Sequence, residues 1–230
     1  MIRVKVCGLT NLEDALLAVD AGADALGFIF VEDTPRFVTP EIVAPIVRRL
    51  PPFVTPVGVF WDHPASHVKL VAEQCGLRAI QFHGDEKPEE LAGYALPVIK
   101  TVKLGPPPPD IEGLPAYQIE PRMRVLRYCE HASAILLDSA ARWSEGEPRH
   151  PIEWQLAAQY GERSPRGARG PGGRPVPIIL SAGLTPDNVA RAIAVARPYG
   201  VDVNSGVEAR PGKKDPDKVW RFVTEAKRAA

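Results

Sequence analysis

Short apolar, β-branched runs recur along the chain, separated by polar stretches with helical character. They begin with VKVCG at Val4, ALGFIF at Ala25, VTPVGVF at Val54 and AIQF at Ala79. Four more follow: VIKTVK from Val98, AILLD from Ala134, PIILSAG from Pro177 and GVDVN from Gly200. Each is near-continuously apolar rather than alternating, the pattern of a strand buried on both faces. Eight such strands with helices between them predict an α/β fold, a closed (β/α)8 TIM barrel, in which residues 1–230 form one domain.

Helix starts are marked where this scheme needs them. Thr10 with Glu13 has the spacing of a capping box, and Thr39-Pro40, Thr185-Pro186 and Asp215-Pro216 each place a cap before a first-turn proline. Prolines number 25, and they crowd into loops such as Gly105 to Pro109 rather than into strands, which supports the strand boundaries. The segment from Gly161 to Pro177, GERSPRGARGPGGRPVP, is too rich in Gly, Pro and Arg to fold alone and is expected to be a flexible loop before the seventh strand. Its arginines raise an RNA contact as an option, but a solvated insertion accounts for them better in a chain without excess charge.

Charge and composition narrow the partners. Lysine plus arginine and aspartate plus glutamate both number 28, so there is no general attraction to nucleic acid or to an anionic membrane. Any anionic ligand must be held locally. No stretch approaches the roughly 20 apolar residues of a membrane span, and MIRVKVCG lacks an apolar signal region, so a cytoplasmic protein is expected. Cys7, Cys75 and Cys129 are odd in number and far apart, which argues against a disulfide framework or a CxxC motif. Cys75 and Cys129 fall in helical stretches and are read as structural.

In such a barrel the reacting groups sit where strands end, because the connecting loops converge there on one mouth. Cys7 ends the first strand, Gln81 to Asp85 follows the fourth, Asp138 closes the sixth, and Gly183 and Ser205-Gly206 follow the seventh and eighth. All are therefore expected to face one pocket. The last two loops of these barrels commonly bind phosphate through backbone N–H groups, and SAGLTPDN and the Ser205-Gly206 turn supply small residues there, with Thr185 as the expected helix cap. A thiol at Cys7 facing a carboxyl at Asp138 would make a base and acid pair, although a core cysteine and a loop carboxylate are the plainer alternatives.

Along nearly its whole length the chain resembles the phosphoribosylanthranilate isomerase family. KVCG with Thr10, TPRFVTPE, FHGDE, VIK, LLD, the glycine turn with TPDNV, and DVNSGVE with PGKKD occur in the family's order and spacing. The resemblance implies an Amadori rearrangement of N-(5-phosphoribosyl)anthranilate in tryptophan biosynthesis, with no metal or organic cofactor. It implies Asp138 as general acid and the Cys7 thiolate as general base, and the site is then expected to lower the thiol pKa, with Lys5 or helix N-termini as causes. Arg36 in TPRF matches an anthranilate-carboxylate clamp, for which a guanidinium suits by donating two parallel hydrogen bonds. His83 is expected to position the substrate rather than to bind metal, the remaining histidines being scattered without a ligand pattern. Asp202 is expected either to hold a substrate hydroxyl or to be a buried carboxylate of a polar barrel layer. Phosphate is expected at Gly183, Ser205 and Gly206.

Two stretches depart from the family pattern: Ala182-Gly183 stands where two glycines are usual, and SAARWSEGEPRH follows Asp138 in place of a GGTG-like segment. A similar barrel acting on another ligand, such as a tryptophan synthase α-like lyase or a sugar-phosphate isomerase, and a non-catalytic phosphate-binding module stay open beside the isomerase reading. The expected partner is a small phosphorylated molecule, with no nucleic acid and no membrane, and the assembly a monomer or homodimer.

Overall fold

The computed structural model describes residues 1–104, 125–139, 154–160, 170 and 173–229. The eight predicted strands are all present: β1 Arg3–Val6, β2 Ala25–Ile29, β3 Thr55–Phe60, β4 Ala79–Phe82, β5 Val98–Leu104, β6 Ala134–Ser139, β7 Ile178–Leu180 and β8 Gly200–Val203. Every neighbouring pair is parallel, and β1 pairs with β8 to close the barrel. A short hairpin of Glu208–Arg210 with Lys213–Lys214 follows β8. The described parts of the proline-rich segments are limited. Residues 105–124 and 140–153, and most of the arginine-rich insertion, lie outside the described residues; of that insertion Gly170 and residues 173–177 are described, and Val176 there is buried.

The strands are apolar throughout because successive side chains point to opposite faces and both faces are covered. On β6, Ile135 and Leu137 belong to the large core beneath the helices, whereas Ala134 and Leu136 join Ile99 and Ile179 in a separate cluster inside the barrel. On β1 the same alternation sends Val4 and Val6 outward into the core and leaves Lys5 and Cys7 on the inner side. The C-terminal helix Pro216–Arg228 shows how the outer layer is sealed. Val219, Phe222, Val223 and Ala226 recur at three- and four-residue spacing and are buried, while the intervening Lys218, Arg221 and Glu225 form the polar face. Full burial of one Phe or Val here stabilises by about 1.5–3 kcal/mol.

Helix starts were only partly as expected. Asp215 caps the C-terminal helix, its carboxylate accepting from the Lys218 N–H at 3.1 Å, and Thr39 occupies the N-cap before Pro40. At the first helix, Leu12–Asp20, the cap is Asn11 rather than Thr10, since the Asn11 carbonyl oxygen accepts from the Asp14 N–H at 2.9 Å and the Thr10 hydroxyl donates instead to the Gly212 carbonyl at 2.7 Å. Thr185 likewise precedes a turn, and the helix Val189–Ala196 begins after Asn188. At the first helix the neighbouring asparagine takes the cap, whereas before Val189–Ala196 the Thr185 hydroxyl still accepts from the Asp187 N–H at 3.3 Å and the Asn188 side chain accepts from the Thr185 N–H at 2.8 Å. After β4 the connection carries a short 3-10 helix, Pro88–Leu91.

Replacing Asp215 by Ala removes a cap that satisfies a helix N–H, and is expected to cost about 1 kcal/mol of unfolding free energy in a denaturant titration. An unchanged midpoint would show that Pro216 and the buried face hold this helix start without the carboxylate.

Candidate active site

At the seam between β1 and β8, strand register places Lys5 beside Asp202. The Lys5 ammonium donates to Asp202 Oδ1 at 2.7 Å, and Asp202 Oδ2 accepts from the Ser181 hydroxyl at 3.2 Å. All three side chains are buried. Cys7, two residues after Lys5, shares its face of the strand, and its N–H continues the ladder to the Val203 carbonyl at 2.8 Å. Gly27 on β2 makes room for both: a Cβ there would lie 2.6 Å from Cys7 Sγ and 3.0 Å from Lys5 Nζ.

The electrostatics of Cys7 differ from the expectation. Burial pushes its thiol up from the ordinary value, Lys5 pulls it down, Asp202 pushes it up again, and the net direction is a raised pKa rather than a lowered one. Lys5 does act in the expected sense; the error was to count the cation without the cost of burying a thiolate or the carboxylate that shares the cation. Lys5 itself is opposed by burial, but Asp202 and Cys7 outweigh this and hold it protonated, with a raised pKa.

Asp138 lies on β6, paired in register with Lys103 of β5. Its carboxyl accepts from the Ser139 N–H at 2.8 Å, and its other oxygen is 3.6 Å from His83 Nε2. The Trp61 and His83 rings lie 5.4 Å apart, and the Lys103 ammonium stands 3.7 Å from the centre of the Trp61 ring. Burial lowers the Lys103 pKa despite nearby carboxylates. His83 thus belongs to the mouth, as expected. His63 and His67 were wrongly passed over as scattered: they form a His-x-x-x-His pair with rings 5.1 Å apart, yet among the described residues no group of three or more His, Cys, Asp or Glu is arranged to hold a metal ion. Cys75 ends the helix Ala65–Cys75, Cys129 follows a helical turn over 125–128, and both are buried, in keeping with structural roles.

A second buried ion pair supports this side of the mouth. Lys100 of β5 donates to Glu86 at 2.5 Å and to the Gly84 carbonyl at 2.7 Å, while Glu86 accepts from the Asp62 and Gly84 N–H groups. One carboxylate therefore ties together the loops after β3 and β4, on either side of His83. Both residues lie in motifs quoted from the sequence, Glu86 in FHGDE and Lys100 in VIK, but their pairing was not foreseen; a lone lysine in an otherwise apolar strand such as VIKTV is the signal that could have found it.

Arg36, in the loop after β2, is buried and already engaged. Its Nε and Nη2 donate to the two Glu208 oxygens at 2.8 and 2.6 Å, and Lys214 donates to Glu208 at 3.2 Å. The side-on edge of the guanidinium is thus occupied from within the protein, so the two-pronged grip expected from the sequence would have to use the Nη1 end. Gly8 keeps this cluster close to Cys7, because a Cβ there would lie 2.5 Å from Asn204 Oδ1 and 2.8 Å from Arg36 Cδ. Burial would raise the Glu208 carboxyl, but the Arg36 hydrogen bonds and the Lys214 charge outweigh it, and the net direction is below the ordinary value.

The loops after β7 and β8 meet each other. Ala182 and Gly183 both adopt left-handed backbone, with φ of 66° and 62°. Asn188 closes this turn by donating to the Gly183 carbonyl and accepting from the Thr185 N–H, each at 2.8 Å. Gly206 lies so near the Leu184 backbone carbonyl that any Cβ would overlap it. Ser205 opens the short 3-10 turn Ser205–Val207 beside it. Cys7, Arg36, His83, Asp138, Gly183, Asp202, Ser205 and Gly206 thus all lie on or just after the C-terminal ends of barrel strands.

Residues 4–225 match the family model described as N-(5'phosphoribosyl)anthranilate (PRA) isomerase. The chain belongs to the phosphoribosylanthranilate isomerase family. A curated N-(5'-phosphoribosyl)anthranilate isomerase from Pelobacter propionicus is 43% identical, covering 99% of this chain and 96% of the relative. Among solved structures, a phosphoribosyl anthranilate isomerase in complex with reduced 1-(o-carboxyphenylamino)-1-deoxyribulose 5-phosphate is 40% identical, covers 99% of both chains and superposes with a TM-score of 0.78. Mutually generated monomers of the dimeric phosphoribosylanthranilate isomerase from Thermotoga maritima are 37% identical, cover 99% of both chains and give a TM-score of 0.79. Membership of the isomerase family settles the choice left open between this enzyme class and other phosphate-binding barrels.

The turn at Ala182 carries strain that a glycine would remove. Ala182→Gly is expected to raise stability by about 1 kcal/mol, the cost of an L-residue in left-handed backbone, partly offset by the freer unfolded chain. A destabilised variant in thermal unfolding would show that the buried Ala182 methyl outweighs the strain. Glu208 generates a pH-dependent prediction. A carboxyl whose folded pKa is depressed stabilises above its ordinary titration range and loses that contribution as pH falls through it. Glu208→Gln is therefore expected to cost about 3–5 kcal/mol near neutral pH, because Arg36 and Lys214 lose their partner, and progressively less below about pH 4. A penalty independent of pH would mean that shape rather than charge holds this cluster.

Proposed function

We propose that this chain is a phosphoribosylanthranilate isomerase of tryptophan biosynthesis, with Cys7 as general base and Asp138 as general acid. The observation that carries the reading is the thiol at the end of β1 and the carboxyl at the end of β6, both directed to one barrel mouth in a chain whose family performs this rearrangement. Asp138 protonates the ribose ring oxygen, the C1′–O bond opens, and a Schiff base forms. The Cys7 thiolate then takes the C2′ proton, and the resulting enolamine tautomerises to the ketone. The protons taken and given balance within one rearrangement, so no redox equivalent is consumed.

The remaining residues take positions consistent with this reading. His83 beside Asp138 orients the acid and the sugar. Asp202 accepts from a substrate hydroxyl, and Arg36, braced by Glu208, offers its Nη1 end to the anthranilate carboxylate. The phosphate is held by backbone N–H groups at Gly183, Ser205 and Gly206, where the close approach of the two loops leaves room for glycine alone at Gly206. The bound analogue in the solved relative, a phosphorylated sugar bearing an anthranilate group, has the chemistry this arrangement suits. Among the described residues no helix is long and apolar enough to cross a membrane. A cytoplasmic location belongs to the same proposal, and of the two expected assemblies the homodimer has the support of the dimeric Thermotoga maritima relative.

The test is a coupled assay following loss of phosphoribosylanthranilate fluorescence. Cys7→Ser and Asp138→Asn are each expected to lower kcat by roughly 10²-fold or more with KM little changed, since each removes a proton-transfer group rather than a binding contact. Because the free Cys7 thiol titrates above its ordinary value, kcat/KM is expected to keep rising with pH beyond neutrality. Wild-type turnover in either variant would remove that residue from the mechanism.

A further inference from the structure

Lys5, Cys7 and Asp202 form a closed set in which one cation faces two acidic groups. The sulfur and the ammonium both lie within 3.0 Å of the point where a Gly27 Cβ would stand, and the ammonium is 2.7 Å from Asp202 Oδ1. All three side chains are buried, so water cannot screen the competition between thiolate and carboxylate for the one ammonium. We propose that Lys5 and Asp202 together control the proton on Cys7: Lys5 stabilises the thiolate, and Asp202 competes for Lys5, keeping the thiol protonated until a ligand hydroxyl engages the carboxylate. The proposal rests on the reading of Cys7 as the base.

One other cation acts on the sulfur from a neighbouring element, Lys214 of the hairpin after β8, and the Arg36 side chain packs nearby against Gly8. Both are committed to Glu208, and Lys214 also donates to the Asn204 carbonyl and side chain at 3.1 Å. Lys5 is the cation shared between the thiol and the Asp202 carboxylate. The opposed pulls on the thiol agree with this arrangement: burial and Asp202 raise it, and Lys5 and Lys214 lower it. A neutral resting thiol keeps the base from alkylation or oxidation in the empty enzyme, because the thiolate is the reactive form. Binding then generates the base where it is used.

The experiment is a pH titration of the Cys7 thiolate by its ultraviolet absorbance in the full-length protein, with Cys7→Ser as the blank for Cys75 and Cys129. Asp202→Asn is expected to give roughly ten-fold more Cys7 thiolate than wild type at a given pH below the midpoint, and Lys5→Met roughly ten-fold less. Lys5→Arg, which keeps the charge, is expected to stay near wild type. Saturating reduced 1-(o-carboxyphenylamino)-1-deoxyribulose 5-phosphate is expected to raise the thiolate fraction of the wild type and to leave that of Asp202→Asn unmoved. Lys5→Met strands a buried carboxylate, so the double variant Lys5→Met/Asp202→Asn provides a neutral pocket and is expected to hold less thiolate than wild type. Coincident titrations of wild type, Asp202→Asn and the double variant, less thiolate in Asp202→Asn, or no response of the wild type to the analogue would overturn the proposal. Failure of the base reading shows elsewhere, as undiminished turnover in Cys7→Ser.

Discussion

Closure of the barrel through the pairing of β1 with β8 is the constraint on which the site depends. It brings residues from opposite ends of the chain into register, Lys5 against Asp202 and Val6 against Val203. Sheet geometry then decides the rest, because alternate side chains must go either to the dry layer under the helices or to the inside of the barrel. Val4 and Val6 seal the outside, which leaves Lys5 and Cys7 no direction but inward. Were the pairing shifted by one residue, the valines would face the mouth and the lysine would be driven into the core.

Burying charge in this way is costly, and the fold meets the cost by giving each buried charge a specific partner. Lys5 has Asp202, Lys100 has Glu86, and Glu208 has both Arg36 and Lys214. Removing one member of such a pair typically costs about 3–5 kcal/mol, whereas replacing the pair by apolar groups is often neutral. Stability alone therefore does not explain the choice of charges. Each pair joins segments that are remote in sequence and that border the mouth: β1 with β8, the β4 loop with β5, and the β2 loop with the hairpin after β8. Their common effect is to hold the strand-end loops in one arrangement while their inward faces stay polar.

Glycines at Gly8, Gly27 and Gly206 serve the same end by a different route. Each marks a place where two segments approach closer than a methyl group allows, and each lies beside a candidate site residue. Ala182 is the exception in this pattern. It accepts left-handed backbone, φ 66°, at some energetic cost, and so makes the turn without a glycine.

Much of this was legible in the linear chain. The eight apolar runs determined the strands, their number and parallel character determined a closed barrel, and position at strand ends singled out Cys7, the Gln81 to Asp85 stretch that holds His83, Asp138, Gly183, Ser205 and Gly206, while Asp202 came from the family resemblance. Local rules succeeded there because burial on both faces and turn chemistry are written in consecutive residues. They failed where a competing group, whether adjacent or remote in sequence, took the expected role. Asn11 took the cap expected of Thr10, the bracing of Arg36 by Glu208 was not foreseen, and the pairing of Glu86 with Lys100 went unnoticed because its members sit 14 residues apart on different elements. The direction of the Cys7 shift is the clearest case. The sequence shows a lysine two residues from a cysteine and so determines that a cation is near; that the thiol is dry, and that Asp202 from the far end of the chain shares the same ammonium, was decided only when the barrel closed, since desolvation and three-body electrostatics exist only in the folded state.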